Sequence, residues 1–185
     1  MAASIFPLSS FEVLSQPLIP IPDPSIPYVE QAYFVQVSYP SEGGEETVTF
    51  DLIFEETTNF TQGVGQAGVM AQSVDAAGDL VMDPGFIAGP TGPFGFFNQQ
   101  ISPGKTQIYS VNVMRPQAPP SAAAADAMPQ SGTGWRGVAS LTNLSTPGLL
   151  VATPTQRQIY FTSDLKMITD SVVYSVPTVS GETRF

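Results

Sequence analysis

The chain has 185 residues, with 6 Lys or Arg against 16 Asp or Glu, for a formal net charge of −10 at pH 7. It contains no histidine and no cysteine, which removes the usual proton shuttle, the strongest side-chain nucleophile and the commonest metal ligands. The acidic balance excludes the basic stripe that nucleic-acid phosphates require and disfavours anionic membrane surfaces, so neither nucleic acid nor membrane is an expected partner.

Hydrophobic residues at 42% and aromatics at 10% mark a folded chain able to bury a core. Charged residues are only 12%, about half the usual share. The surface must then be covered by Ser, Thr, Gln, Asn and small apolar groups, which suits close contact with neighbouring subunits. The amino terminus, Met-Ala-Ala-Ser-Ile-Phe-Pro, has no basic region, and Pro7, Glu12 and Pro17 break its apolar stretch. Synthesis in the cytoplasm without a signal peptide is expected. The uncharged runs between Asp83 and Lys105 and between Arg136 and Arg157 are too rich in Gly, Pro and Thr for a membrane helix.

Residues 1–27 stand apart. Pro7, Pro17, Pro20, Pro22, Pro24 and Pro27 punctuate Phe6, Phe11, Leu14, Leu18, Ile19, Ile21 and Ile26. Proline at that density favours extended backbone without ladder donors. The expectation is an N-terminal arm that lies along its own domain or crosses to a neighbour.

A β-domain is expected over 28–178. Period-two alternation begins with Tyr33, Val35, Val37 and Tyr39 on one face, and recurs in Val48, Phe50, Leu52 and Phe54. Pro40 to Glu46 reads as the hairpin turn between these strands. A short pair follows at 69–74 and 79–82, turned by Asp75-Ala76-Ala77-Gly78. Residues 83–104 read as a Gly/Pro-rich loop carrying Phe86, Phe94, Phe96 and Phe97. Thr106 to Met114 alternates again. Residues 115–131 form a Pro/Ala-rich surface loop.

The last third predicts strands at 134–144, 149–153, 156–162 and 171–176, with a turn at Pro154-Thr155 and a short tail over 179–185. Trp135, Gly137, Ala139 and Leu141 share one face. No apolar pattern of period 3.6 runs far enough for a substantial helix. The class is therefore all-β, an antiparallel sandwich or jelly-roll-like domain with an extended proline-rich arm.

Chemistry-bearing motifs are weak. Gly104-Lys105-Thr106 ends like a phosphate loop, but Gln99 stands where the first glycine belongs and a strand follows. Asp75, Asp79 and Asp83, like Glu42, Glu45 and Glu46, lack calcium-loop spacing. Asn59-Phe60-Thr61 and Asn143-Leu144-Ser145 match the glycosylation pattern by chance in a leaderless chain. No catalytic, metal or cofactor residue is expected.

In style, the chain resembles small structural virion proteins: leaderless, β-rich, poor in charge and extended at both ends. The expected function is non-enzymatic assembly, as in a phage capsid decoration (cement) protein within a virion or other extracellular assembly. It would contact protein partners, either its own copies as a homo-oligomer or capsid subunits. The contact residues are Phe6, Phe11, Leu14, Leu18, Ile19 and Ile21 of the arm, then Phe94, Phe96 and Phe97, whose intervening Gly95 lets rings project. The alternative is a carbohydrate- or cell-surface-recognition module using Trp135, Tyr160 or Tyr174 as an aromatic platform.

Overall fold

The computed structural model describes residues 5–19, 25–44, 46–59, 68–81, 87–88, 94–114, 133–163 and 166–185. The protein is all-β, as its alternation requires. Strands β1 (Ile5–Pro17), β2 (Tyr28–Tyr39), β3 (Val48–Asn59), β4 (Gly68–Val74), β5 (Leu80–Val81) and β6 (Ile87–Ala88) come first. They are followed by β7 (Phe94–Ile101), β8 (Lys105–Met114), β9 (Thr133–Thr142), β10 (Val151–Phe161) and β11 (Ile168–Ser175). A short 3-10 turn at Ser41–Gly43 is the one helical element among the described residues.

All pairings are antiparallel and belong to one continuous sheet, ordered β5-β4-β8-β2-β1-β9-β3-β7, with β10 and β11 branching from β2. The sheet curls into a half-barrel rather than separating into two layers. Aromatic pairs bridge strands that lie far apart in sheet order. Phe50 of β3 meets Tyr109 of β8 at 6.0 Å, Phe96 of β7 meets the same Tyr109 at 4.8 Å, and Tyr33 of β2 meets Phe54 of β3 at 6.0 Å. Each such pair adds about 0.5–1.5 kcal/mol beyond the area it buries. The Tyr33 hydroxyl is satisfied by Ser9 Oγ at 2.5 Å, and Tyr109 donates to Gln107 Oε1 at 2.6 Å.

The N-terminal arm is corrected to a core strand. β1 pairs with β9 from Ile5 to Ser15 and with β2 from Leu14 to Pro17. Leu8, Phe11, Val13 and Leu14 are buried in it. Its prolines do not prevent this, because Pro7 sits at a register shift and Pro17 is the last strand residue, two places where a missing donor is tolerated. Pro27 supplies the carbonyl that Leu18 N–H meets at 2.8 Å, closing the base of the β1–β2 connection. The Pro20 to Pro24 run lies outside the described residues, as does the 115–131 loop.

Three further expectations are revised. Residues 40–46 do not join a hairpin, because β2 pairs with β1, β8 and β10 while β3 pairs with β7 and β9. The connection instead carries the chain from one limb of the curl to the other. Pro154 does not interrupt β10. It pairs with Val35 on the β2 side, and its carbonyl accepts from Val176 N–H at 3.1 Å just past the β11 ladder, so the missing N–H falls at the end of that ladder. Residues 94–101 are strand β7 rather than loop. Gly104 does make the turn into β8, with φ 73°.

The end of the chain acts as a clasp. Phe185 is buried, and its backbone exchanges two hydrogen bonds with Leu150 at 2.7 and 2.9 Å. Val179 N–H reaches the Leu8 carbonyl at 2.7 Å, tying this segment to β1 as well as β10.

Two local devices shape the curl. Gly137 of β9 lies opposite Phe11, where a Cβ would strike the Glu55 carbonyl and the Phe11 ring. The ring covers the bare backbone, as aromatic neighbours of strand glycines do. At Asp51, β7 bulges so that Phe97 and Asn98 oppose a single β3 residue. The buried Asp51 carboxylate accepts from Asn98 N–H at 2.7 Å and from Asn143 Nδ2 at 2.5 Å. Both asparagines have left-handed backbones, φ 53° and 52°, a conformation this residue type tolerates. Alternation after buried Phe96 turns Phe97 to the surface, and the extra residue then returns Gln99 and Ile101 to the inner face.

Candidate interaction surface

The β10–β11 hairpin gathers the exposed apolar surface. Its turn is closed by Thr162 N–H to the Met167 carbonyl at 2.9 Å and by Met167 N–H to Thr162 Oγ1 at 3.2 Å. From there β11 pairs with β10 between Ser175↔Thr155 and Ile168↔Phe161, with a register shift at Thr169. β10 is itself paired with β2 along its whole length. The other edge of β11 meets no described strand.

Every residue of β11 is exposed. Among the described residues only the two-residue β5 matches it. Its large apolar residues range from 40% exposed at Tyr174, through Val172 and Val173, to 62% at Ile168, and neighbouring Met167 reaches 65%. Side chains alternate along a strand, so Val172 and Tyr174 occupy one face and Val173 the other. The strand is therefore apolar on both sides while buried on neither.

Register carries this surface across four strands. Pro17 of β1 pairs with Tyr28 of β2, Tyr28 with Phe161 of β10, and Phe161 with Ile168 of β11. That row ends the sheet on one side, and Leu18 and Ile19, each about half exposed, continue it just past β1. Exposed Leu18 and Ile19 thus lie at the β1 end of this row, and Met167 and Ile168 at its β11 end.

The electrostatics are sparse. β11 holds a single charge, Asp170, in a chain whose net charge is −10. On the outer face, the Arg157 guanidinium lies 4.0 Å over the Phe34 ring, a cation–π contact that also screens apolar surface. On the inner face, Gln156 donates to the Glu12 carbonyl and to Gln31 Oε1 at 3.0 Å, and Tyr160 donates to Gln158 Oε1 at 3.0 Å. Desolvation raises the Tyr174 hydroxyl above its ordinary range, and the Glu12 carboxylate adds to the rise.

The expected contact residues divide. Phe11, Leu14, Phe94 and Phe96 are buried in the protein's own core, and Phe6 packs half-buried against it. Leu18, Ile19 and Phe97 are exposed, and Ile21 lies outside the described residues. Of the platform candidates, Trp135 is buried, leaving only Tyr160 and Tyr174 near the surface. Met167, Ile168, Val172 and Val173 are not among the expected contact residues. The signal that could have found them is the uninterrupted Val172-Val173-Tyr174 run, which a strand cannot hide on one face.

Elsewhere, a cleft of about 220 Å³ is lined by Pro40, Glu42, Gly148, Leu149 and Arg184. The described residues hold no group of three or more Asp or Glu able to share a metal ion. Glu12 and Arg136 form an ion pair between β1 and β9, and Asp75 Oδ1 caps the β4–β5 turn through Ala77 and Asp79 N–H, each at 2.9 Å. Compared with known families and curated proteins, the sequence matches no family model and no curated relative.

Proposed function

We propose that this chain is a structural component of a multi-subunit assembly, acting by binding protein neighbours rather than by catalysis. The observation that carries the reading is strand β11, exposed at every position, apolar on both faces and met along one edge by no strand among the described residues. Soluble proteins normally blunt such edges with Lys, Pro or inward charges, and β11 keeps only Asp170. Covering it would bury valine and tyrosine side chains at about 25 cal/mol per Å² and satisfy a row of backbone groups.

The setting proposed is a virion, with the chain as a capsid decoration protein. A surface poor in charge and a cysteine-free composition support close subunit packing independent of redox conditions. The contact moves from the N-terminal segment, which the core needs, to the hairpin edge with Met167 and Ile168 at its end.

Density-gradient sedimentation of material from the native source tests this. The chain should travel with a large particle, and Val173→Lys should release it while leaving it folded. Recovery of the wild-type chain only as a free, slowly sedimenting species overturns the reading.

A further inference from the structure

Resting on that assembly reading, we infer that the occupant of the β11 edge is a second copy of this chain, added antiparallel across a two-fold axis through Val172. Isologous contacts of this kind are the commonest route to closed homo-oligomers.

The register follows from the strand itself. In an antiparallel ladder, directly opposite residues are both hydrogen-bonded or both not, and that character alternates along each strand. A strand meeting its own copy must therefore match residues of like parity, so the axis passes through a residue. The register shift at Thr169 leaves Asp170 to Ser175 as the regular stretch.

An axis at Asp170 sets two carboxylates against each other, which is unfavourable in any sheet and worse between two chains of net charge −10. An axis at Ser171 drives the irregular Thr169 against Val173. An axis at Val173 sends Asp170 past the strand end, against Val176. At Val172 the five residues Asp170 to Tyr174 pair within the regular stretch, and the irregular Thr169 falls only against Ser175, the last strand residue. Val172 meets Val172 of the second copy, Ser171 meets its Val173, and Asp170 meets its Tyr174.

Charge also selects this edge. Two strongly acidic copies repel wherever carboxylates face one another, yet Ser171 to Ser175 is charge-free. Pairing there joins β10 and β11 of both copies into one sheet and sets Val172, Val173 and Tyr174 beside cross-strand neighbours on both faces.

The chain has no cysteine, so single-cysteine variants report the geometry cleanly. Residues opposite across the axis have Cα atoms about 4.5–5.5 Å apart, inside the span of a disulfide. Under mild oxidation Val172→Cys should form a covalent dimer at least about tenfold faster than Ile168→Cys, an exposed site away from the axis, because pairing raises the local thiol concentration. Val173→Lys should abolish the wild-type dimer in sedimentation equilibrium with no change in melting.

Equal rates for the two cysteine variants, or a wild-type chain that stays monomeric, overturn self-pairing. The same variants in the native particle separate the two ideas. A chain that travels with the particle while Val172→Cys remains uncrosslinked defeats self-pairing and keeps the assembly reading. A crosslinked dimer found on no particle defeats the assembly reading and keeps self-pairing.

Discussion

Strands β1 and β11 carry similar apolar content near opposite ends of the chain, and the fold treats them in opposite ways. β1 is paired with β9 along one edge, and with β2 and the C-terminal clasp along the other. β11 is paired, among the described strands, with β10 alone and is exposed throughout. The difference lies in neighbours rather than in composition. β1 enters where β9 and β2 leave a gap in the curl, and Phe11 fills the space over Gly137. β11 joins after β10 has already been paired, at the outside of the sheet. Apolar residues thus mark surface that must be covered, without saying whether the cover is the same chain or another.

The contrast breaks most sharply at the core strand. Phe11→Ala removes a ring that meets Tyr33 at 5.9 Å and Phe54 at 5.4 Å. The expected cost is about 3–5 kcal/mol, a large share of the roughly 5–15 kcal/mol that holds a domain together. Urea unfolding should show the loss as a much lower midpoint, and deleting residues 1–17 should abolish cooperative unfolding altogether. A folded, stable deletion variant would return β1 to the status of a detachable arm.

Gly137→Ala comes next. The added methyl meets the Glu55 carbonyl and the Phe11 ring, so overpacking should cost about 1–3 kcal/mol, visible as a lowered thermal midpoint.

Alkaline pH probes the same core without mutation. Burial raises the hydroxyl pKa values of Tyr33 and Tyr109 well above the ordinary tyrosine value. In the folded protein both stay protonated through the range where the unfolded chain ionises, near about pH 10. Their contribution is complete below that pH. As pH rises further, the unfolded state binds fewer protons than the folded one, so stability falls. Denaturant midpoints should therefore drop above about pH 10, with the phenolate absorbance of Tyr33 and Tyr109 appearing only on unfolding. Tyr33 absorbance that titrates in the native state would contradict its burial.

The smallest effect on folding should come from β11. Val173→Lys changes an exposed side chain, so unfolding free energy should move by no more than about 0.5 kcal/mol, while association is lost. A strongly destabilised Val173→Lys would show that β11 serves the fold rather than a partner.

Alternation over Tyr33–Tyr39 and Val48–Phe54 made β2 and β3 legible residue by residue, because a pleated strand sends successive side chains to opposite faces. The aromatic Phe94-Gly95-Phe96 carried the same period but sat within Gly and Pro, and the density of breakers concealed β7. β1 was hidden in the same way, since its prolines are harmless only at a bulge and a strand end, and neither can be located before β9 is in place. Asp51 is opposite in parity to the buried Phe50 and Leu52, yet the β7 bulge and Asn143 enclose it. The exposed hairpin went unnoticed because its residues look like any other strand.

Local pattern was enough for the all-β class, for most strands of the body, for the scarcity of helix and for a surface with few charges, since each depends on residues a few positions apart. Partner choice was not local. The ladders β1–β9, β2–β10 and β3–β9 join residues many tens of positions apart, and many registers satisfy the same alternation. Closing the curl selects among them by fitting aromatic rings into one interior, and that selection left β1 at the centre and β11 at the edge.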